Sequence, residues 1–234
     1  KMKNIIDRAQ TRGHANHGWL DTNHTFSFAS YYNPQRMHFG VMRVLNDDTI
    51  TPTKGFDLHP HEDMEIISIP LKGRMRHGDS LNNSDVISKG QIQVMSAGTG
   101  IMHIEYNDSD KEDLSFLQIW IYPKTKGTKP RYNNYDVSGL LKKNDISLFL
   151  SPNNEAYINQ DAWISWANVE KDNSIKYNLY GKNTGVYVFV LEGELEIDGV
   201  KFSQRDGVGI SETDNFEIKA LEKTEAIFFE VAMN

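Results

Sequence analysis

The stretch Ile66-Ile67-Ser68-Ile69-Pro70-Leu71-Lys72-Gly73-Arg74-Met75 decides the fold, because Val186-Tyr187-Val188-Phe189-Val190-Leu191-Glu192-Gly193-Glu194-Leu195 echoes it. In each copy a strand-like apolar run meets a glycine and a second strand begins. A turn, a further strand and a second glycine follow, Gly90 in the first copy and Gly207 in the second. Strand, glycine, strand, turn, strand at equivalent spacing predicts one β fold duplicated along the chain.

The pattern continues outward in both directions. Period-two alternation recurs at Phe26 and Phe28, Val41 to Leu45, Glu65 to Leu71, Ile92 to Val94, Leu114 to Tyr122, Leu195 to Ile197 and Ala226 to Val231. Clusters of Asn, Asp, Ser and Gly separate these runs. Asp198-Gly199 is a hairpin signal, since a type I′ turn needs positive φ at both central residues. No window carries a sustained helical stripe, and Val137 to Lys143 offers at most one short turn of helix. The expected class is therefore all-β. The polar, aperiodic stretch from Pro123 through Pro130 to Tyr135 reads as a linker. It divides the chain into a first domain over residues 1–123, a connector over 124–135 and a second domain over 136–234.

Composition removes several function classes. Among 234 residues there are 25 Lys and Arg against 32 Asp and Glu, a net charge of −7. That balance gives no electrostatic hold on phosphates, so nucleic acid is excluded as a direct partner. Without cysteine there is no disulfide, thiolate zinc site, Fe–S cluster or thiol nucleophile, and any metal must use N and O donors. The longest apolar stretches fall far short of the ~20 residues that span a bilayer, and the start of the chain shows no signal-peptide pattern. The expectation is a cytoplasmic protein with no membrane partner.

All eight histidines lie at or before residue 103: His14, His17, His24, His38, His59, His61, His77 and His103. If the halves share a fold, only the first can hold an imidazole-ligated metal. Two pairs have i, i+2 spacing, His59-Pro60-His61 and His103-Ile104-Glu105, which on a strand sends both side chains to one face. Each pair follows a turn-rich segment, Thr51 to Gly55 and Ser96 to Gly100, which would place it at a strand start near a barrel mouth. His77, within Arg74-Met-Arg-His-Gly-Asp79, reads as a solvated hairpin residue. His14, His17, His24 and His38 read as turn or hydrogen-bonding residues, and Trp19, Phe26, Phe28, Phe39 and Met42 as core, with some of them walling the barrel.

These residues resemble a known family. Gly55-Phe-Asp-Leu-His59-Pro-His61-Glu-Asp-Met-Glu65, closing at Gly73, is similar to the first cupin motif. Gly90 with Ser96-Ala-Gly98-Thr-Gly100-Ile-Met-His103-Ile-Glu105-Tyr-Asn107 is similar to the second, in the form seen in pirin-like proteins. Arg12 to Pro34 shares that likeness, which is dense over residues 12 to 123 and general beyond. It is greatest toward the short bacterial pirins with quercetin dioxygenase activity.

The resemblance implies a bicupin, two double-stranded β-helix barrels, with one divalent metal in the first barrel held by His59, His61, His103 and Glu105. Many cupins draw their glutamate from the first motif, here Glu65. On a straight strand Glu65 lies ~13 Å beyond His61, so Glu105 is the expected ligand and Glu65 a supporting residue, while a turn at Glu62-Asp63 would bring Glu65 back as the alternative ligand. Fe(II) best fits oxygen chemistry with N/O donors, while Ni, Mn, Cu, Co and Zn also suit such a site. The implied activity is dioxygenolytic opening of the heterocyclic ring of a flavonol such as quercetin, with release of carbon monoxide and Glu105 as catalytic base. The implied partners are a flavonol and O₂. Two other readings stand beside it: a regulator whose metal state governs binding of a protein partner, and a cupin isomerase or binder of a small metabolite.

Overall fold

Gly73 and Gly193 show why the echo in the sequence is structural. Both have positive φ, +82° and +91°, and a Cβ on either would stand 2.5 or 2.2 Å from a backbone carbonyl, that of Asp113 or Lys223. The same close approach thus demands glycine twice, at the end of Glu65–Lys72 and at the end of Thr184–Glu192.

In the computed structural model, which describes residues 1–233, the chain is all-β, with two single-turn 3₁₀ segments, Ala9–Thr11 and Ser138–Leu140. The second falls inside the stretch expected to hold a helical turn. Four antiparallel sheets build two barrels. In the first barrel a seven-stranded sheet runs in the order Arg131–Asp136, Gln91–Ser96, Glu65–Lys72, Leu114–Ile121, Met42–Ile50, Leu20–His24, Gly13–Asn16. It faces a four-stranded sheet ordered Gly55–His61, Ile101–Asn107, Arg74–Asp79, Ser84–Ser88. The second barrel repeats the plan with a six-stranded sheet, Lys3–Asp7, Gly207–Ser211, Thr184–Glu192, Thr224–Ala232, Ala162–Val169, Asp145–Leu150. Its small sheet is Ser174–Asn178, Asn215–Ala220, Glu194–Ile197, Val200–Ser203.

The edge strands are exchanged between the halves. Lys3–Asp7, at the start of the chain, pairs with Gly207–Ser211 of the second barrel. Arg131–Asp136 pairs with Gln91–Ser96 of the first. The second pairing corrects the connector expected over residues 124–135, whose last five residues form an edge strand. An edge strand needs partners on one side only and carries weak alternation, so Arg-Tyr-Asn-Asn-Tyr-Asp does not read as a strand. Phe26 and Phe28 are likewise not part of a strand but of a loop held by the isolated bridge of Phe28 to Tyr31.

The two large sheets pack face to face. Their outward residues form one apolar cluster that mixes both halves, including Leu45, Ile67, Ile69, Leu117 and Ile119 with Ile164, Tyr187, Phe189, Ile227 and Phe229. Because the outer face of the first large sheet is spent on this contact, only its inner face is left to shape a site. Glu65 belongs to the contact. Its Oε1 accepts from Ser96 Oγ (2.7 Å) and from the backbone N–H of Asn159 (2.7 Å). Its hydrogen bonds thus tie the halves together, in place of the supporting role beside His59 and His61 expected from sequence.

Candidate metal centre

Strand register brings the histidines together. Gly55–His61 and Ile101–Asn107 are antiparallel, with His103 opposite His59 and Ile101 opposite His61. Between His103 and Glu105 the register slips by one, with the extra residue in Gly55–His61, so a bulge bends that strand just before His59. His59 and His61 lie at the end of their strand and His103 near the start of its own, so antiparallel pairing gathers them at one mouth. The expected strand start for His59 and His61 is corrected accordingly. Pro60 is tolerated because its strand is the edge of the small sheet.

The ligand atoms offered by His59, His61 and His103 all lie within 4.8 Å of one another. His59 Nδ1 donates to the carbonyl of Asp57 (2.6 Å), which fixes its tautomer and leaves Nε2 as a lone pair. That Nε2 faces Nε2 of His103 at 2.7 Å, and His61 Nε2 is buried with no partner. Three ring nitrogens that converge in this way, with His103 Nδ1 also left without a partner, are an arrangement that a cation resolves. Burial, reinforced by the neighbouring imidazoles, depresses His61 to about 4 and His103 to about 3, so both rings are neutral and able to ligate at neutral pH. Glu105 is buried beside them, its Oε1 3.6 Å from His103 Nε2. The donor set fits a divalent transition metal.

The opposite wall is a rung of polar side chains. Reading across the large sheet, His24 pairs with Asn46, Asn46 with Gln118, Gln118 with Ser68, Ser68 with Gln93 and Gln93 with Asn134. Gln118 Nε2 donates to both carboxylate oxygens of Glu105 (3.0 and 3.1 Å), and Ser68 Oγ donates to Oε2 (3.3 Å). Trp120 Nε1 holds the far end of that amide by donating to Gln118 Oε1 (3.0 Å). Gln93 meets His77 Nδ1 at 2.6 Å, while His77 Nε2 meets Asp79 Oδ2 at 2.6 Å. His77 is therefore not a solvated hairpin residue. It is 1% exposed, stacked on Tyr132 at 4.0 Å, with its ring 5.5 Å from that of His103. Its strand is central in the small sheet and its side chain points inward, which the polar neighbours Arg74, Arg76 and Asp79 disguise.

A cavity of about 280 Å³ opens onto His59, His61 and Glu105. Leu20, Phe28, Phe56 and Trp120 give it apolar walls, and Thr22, Asn46, Asp48 and Gln118 close the polar side. Phe28 is the member of the expected core group that walls this space, edge-on to Trp120 at 5.3 Å. Burial pushes Asp48 up to about 7, against a hydrogen bond from Thr22 Oγ1 that lowers it; Asp47, Glu105 and Asp21 raise it further. His14 and His38 serve local contacts, to Asp21 and to the carbonyl of Gly40.

Asn46-Asp47-Asp48 reads from sequence as a turn cluster after Val41 to Leu45, whereas the strand runs on through it as Met42–Ile50; Ser68, Gln93, Gln118 and Trp120 have no site assignment from sequence. Their signal was present: Ile67-Ser68-Ile69, Ile92-Gln93-Val94 and Leu117-Gln118-Ile119 each interrupt an apolar strand with one polar residue. Among the described residues no helix is long and apolar enough to cross a membrane.

Comparison with known proteins agrees with this architecture. The Pirin family model matches residues 6–121, and a model described as the quercetinase C-terminal cupin domain matches residues 148–231. The quercetin 2,3-dioxygenase of Escherichia coli (strain K12) is 41% identical over 230 residues, covering 97% of each chain. A pirin-like protein of Caulobacter vibrioides is 40% identical and covers 97% of this chain and 100% of its own. Among solved structures, bacterial pirin YhhW from Escherichia coli in complex with nickel(II) superposes with a TM-score of 0.93 at 39% identity, over 99% of this chain and 100% of that one. With a histidine cluster in one barrel, an apolar second barrel and relatives of this similarity along nearly the whole length, the chain belongs to the pirin family of bicupins.

Proposed function

We propose that the protein is a metal-dependent dioxygenase that opens the heterocyclic ring of flavonols such as quercetin, taking up O₂ and releasing carbon monoxide and a depside. The observation that carries this is the meeting of three imidazoles beside one buried carboxylate, with His59, His61 and Glu105 opening onto a cavity with flat aromatic walls. His59, His61, His103 and Glu105 are the residues that would hold one divalent ion, Fe(II) by donor preference, with Ni(II) supported by the nickel(II) of the Escherichia coli pirin. When bound, the ion supplies Lewis acidity toward a chelating hydroxy-ketone and a redox contact for O₂.

The chain's own residues do the rest. Three neutral imidazoles and one carboxylate leave a +2 ion with one positive charge, which a monoanionic substrate neutralises. Phe28, Phe56 and Trp120 accept a planar ring system and exclude water. Gln118 and Ser68 hold the Glu105 carboxylate in one orientation. The proton of the substrate hydroxyl passes to Glu105 or to solvent, and its bonding electrons stay on the oxygen.

The test is O₂ consumption with quercetin by protein reconstituted with Fe(II), Ni(II) or Mn(II), with carbon monoxide measured in the headspace and His103→Ala alongside. Stoichiometric carbon monoxide that is lost in the variant is the expected result. No turnover with any metal, despite one bound ion per chain, would overturn it in favour of a binding or regulatory role.

A further inference from the structure

Two polar side chains on the cavity wall keep hydrogen-bonding capacity that the protein does not use. Asn46 and Asp48 stand two apart on Met42–Ile50, so both point into the barrel. Both line the cavity while being only 3% and 4% exposed. The other polar groups on that wall are spoken for: Gln118 is held between Trp120 and Glu105, and the Thr22 hydroxyl donates to Asp48. By contrast, Asn46 Oδ1 is buried with no partner. Asp48 receives one donor on Oδ1.

We propose that Asn46 and Asp48 determine substrate specificity by accepting hydrogen bonds from the ring hydroxyls of a polyhydroxylated planar substrate, selecting it over the bare chelating hydroxy-ketone. This rests on the flavonol reading above and assigns the part of the ligand remote from the ion. The ligand class follows from the surroundings. Phe28, Phe56 and Trp120 frame a flat apolar space, so the matching donor sits on an aromatic ring. The net positive charge of a loaded His₃Glu site disfavours a cationic donor, which leaves the neutral hydroxyl. A site built to bond a hydroxyl rejects the analogue lacking it, because its own polar groups are then left buried and unpaired. Burial raises Asp48 to about 7, which means its carboxylate is poorly solvated and gains from a donor.

The experiment is equilibrium binding under nitrogen, read by quenching of tryptophan fluorescence, with quercetin and with 3-hydroxyflavone, which keeps the hydroxy-ketone and lacks the remaining hydroxyls. It uses metal-free protein and protein loaded with redox-inert Zn(II), so turnover plays no part. Wild type is expected to bind quercetin about tenfold or more tightly than 3-hydroxyflavone. Asp48→Asn, isosteric and still able to accept from Thr22, and Asn46→Ala, which removes the amide without adding bulk, should each weaken quercetin about tenfold and change 3-hydroxyflavone less than about twofold. Thermal melting of each variant checks that it is folded. Equal binding of the two flavonols by wild type, or equal weakening of both in the variants, overturns the assignment; the second pattern is what residues that only order internal water would give. Failure of wild type to bind either compound overturns the flavonol reading itself, and the assignment with it.

Discussion

The two barrels share a strand plan and differ in what fills them. In the first, the rung across the large sheet reads His24, Asn46, Gln118, Ser68, Gln93, Asn134. Aligned on Gly73 and Gly193, the same rung of the second reads Leu148, Ser165, Phe228, Val188, Val208, Ile6. On the small sheets, Tyr177 faces Phe216 across the strand pair that corresponds to His59 and His103. Those rings stack at 5.2 Å, and Phe228 lies against Tyr177 at 5.4 Å. The second barrel thus fills with apolar side chains the space that the first keeps for ligands, polar supports and a cavity. One barrel stores stability and the other gives some of it up for a site, in line with the rule that local inconsistency marks function.

The largest expected difference comes from emptying the second barrel. Phe228 is fully buried, so Phe228→Ala should cost about 3–5 kcal/mol, read as a lower urea midpoint. Below its melting temperature the variant should keep full metal content, measured by atomic spectrometry. Metal loss from the folded variant would break the division of labour between the barrels.

Asp48 tests the other side, since its counterpart on the second rung is Ala167. Between about pH 4 and pH 7 the folded chain keeps a proton on Asp48 that the unfolded chain has released. Stability therefore falls as pH rises through that window, and the deficit is fully present above pH 7. In metal-free protein, Asp48→Asn should gain on the order of 2–3 kcal/mol over wild type at pH 8 and converge with it near pH 4, by urea unfolding at the two pH values. Groups common to both proteins cancel in the difference. An equal offset at both pH values would refute burial of the carboxylate as its cause.

How much of this the sequence could reveal follows from what each signal depends on. The duplicated strand and glycine, and the two i, i+2 pairs, are local and legible, because strand periodicity and a close backbone approach leave marks within ten residues. The edge strands Lys3–Asp7 and Arg131–Asp136 were not legible, since each pairs with a strand remote in the chain and owes little to its own alternation. His77 was misread because its polar neighbours resemble a solvated hairpin, while its burial comes from Gln93 and Tyr132 on another sheet. Ser68, Gln93 and Gln118 were visible only as single interruptions of apolar strands, and Asn46 was hidden in a polar run that resembles a turn; their alignment into one rung depends on registers between four strands.

Gln118 is where the rung acts on the ligands. Gln118→Leu removes both amide contacts to Glu105 and frees Trp120 Nε1. Loss of such an outer support should cost about 10–100-fold in metal affinity, by competition with a chromophoric chelator, with the histidines untouched. Unchanged affinity would mean that Glu105 is held by its strand alone, or is not a ligand.

The smallest effect imports a residue from one barrel to the other. Ser68→Val places in the first rung what Val188 provides in the second. The hydroxyl lost is a long donor at 3.3 Å to Glu105 Oε2, an oxygen that Gln118 also serves. Metal affinity should therefore fall by less than about tenfold, the lower limit for losing a full outer contact. Stability should change by less than about 1.5 kcal/mol, because the lost hydrogen bond and the added apolar burial are of similar size. A collapse in affinity on this exchange would show that the rung orients Glu105 cooperatively and that its members do not act singly, in which case Gln118→Leu and Ser68→Val together should cost no more than either alone.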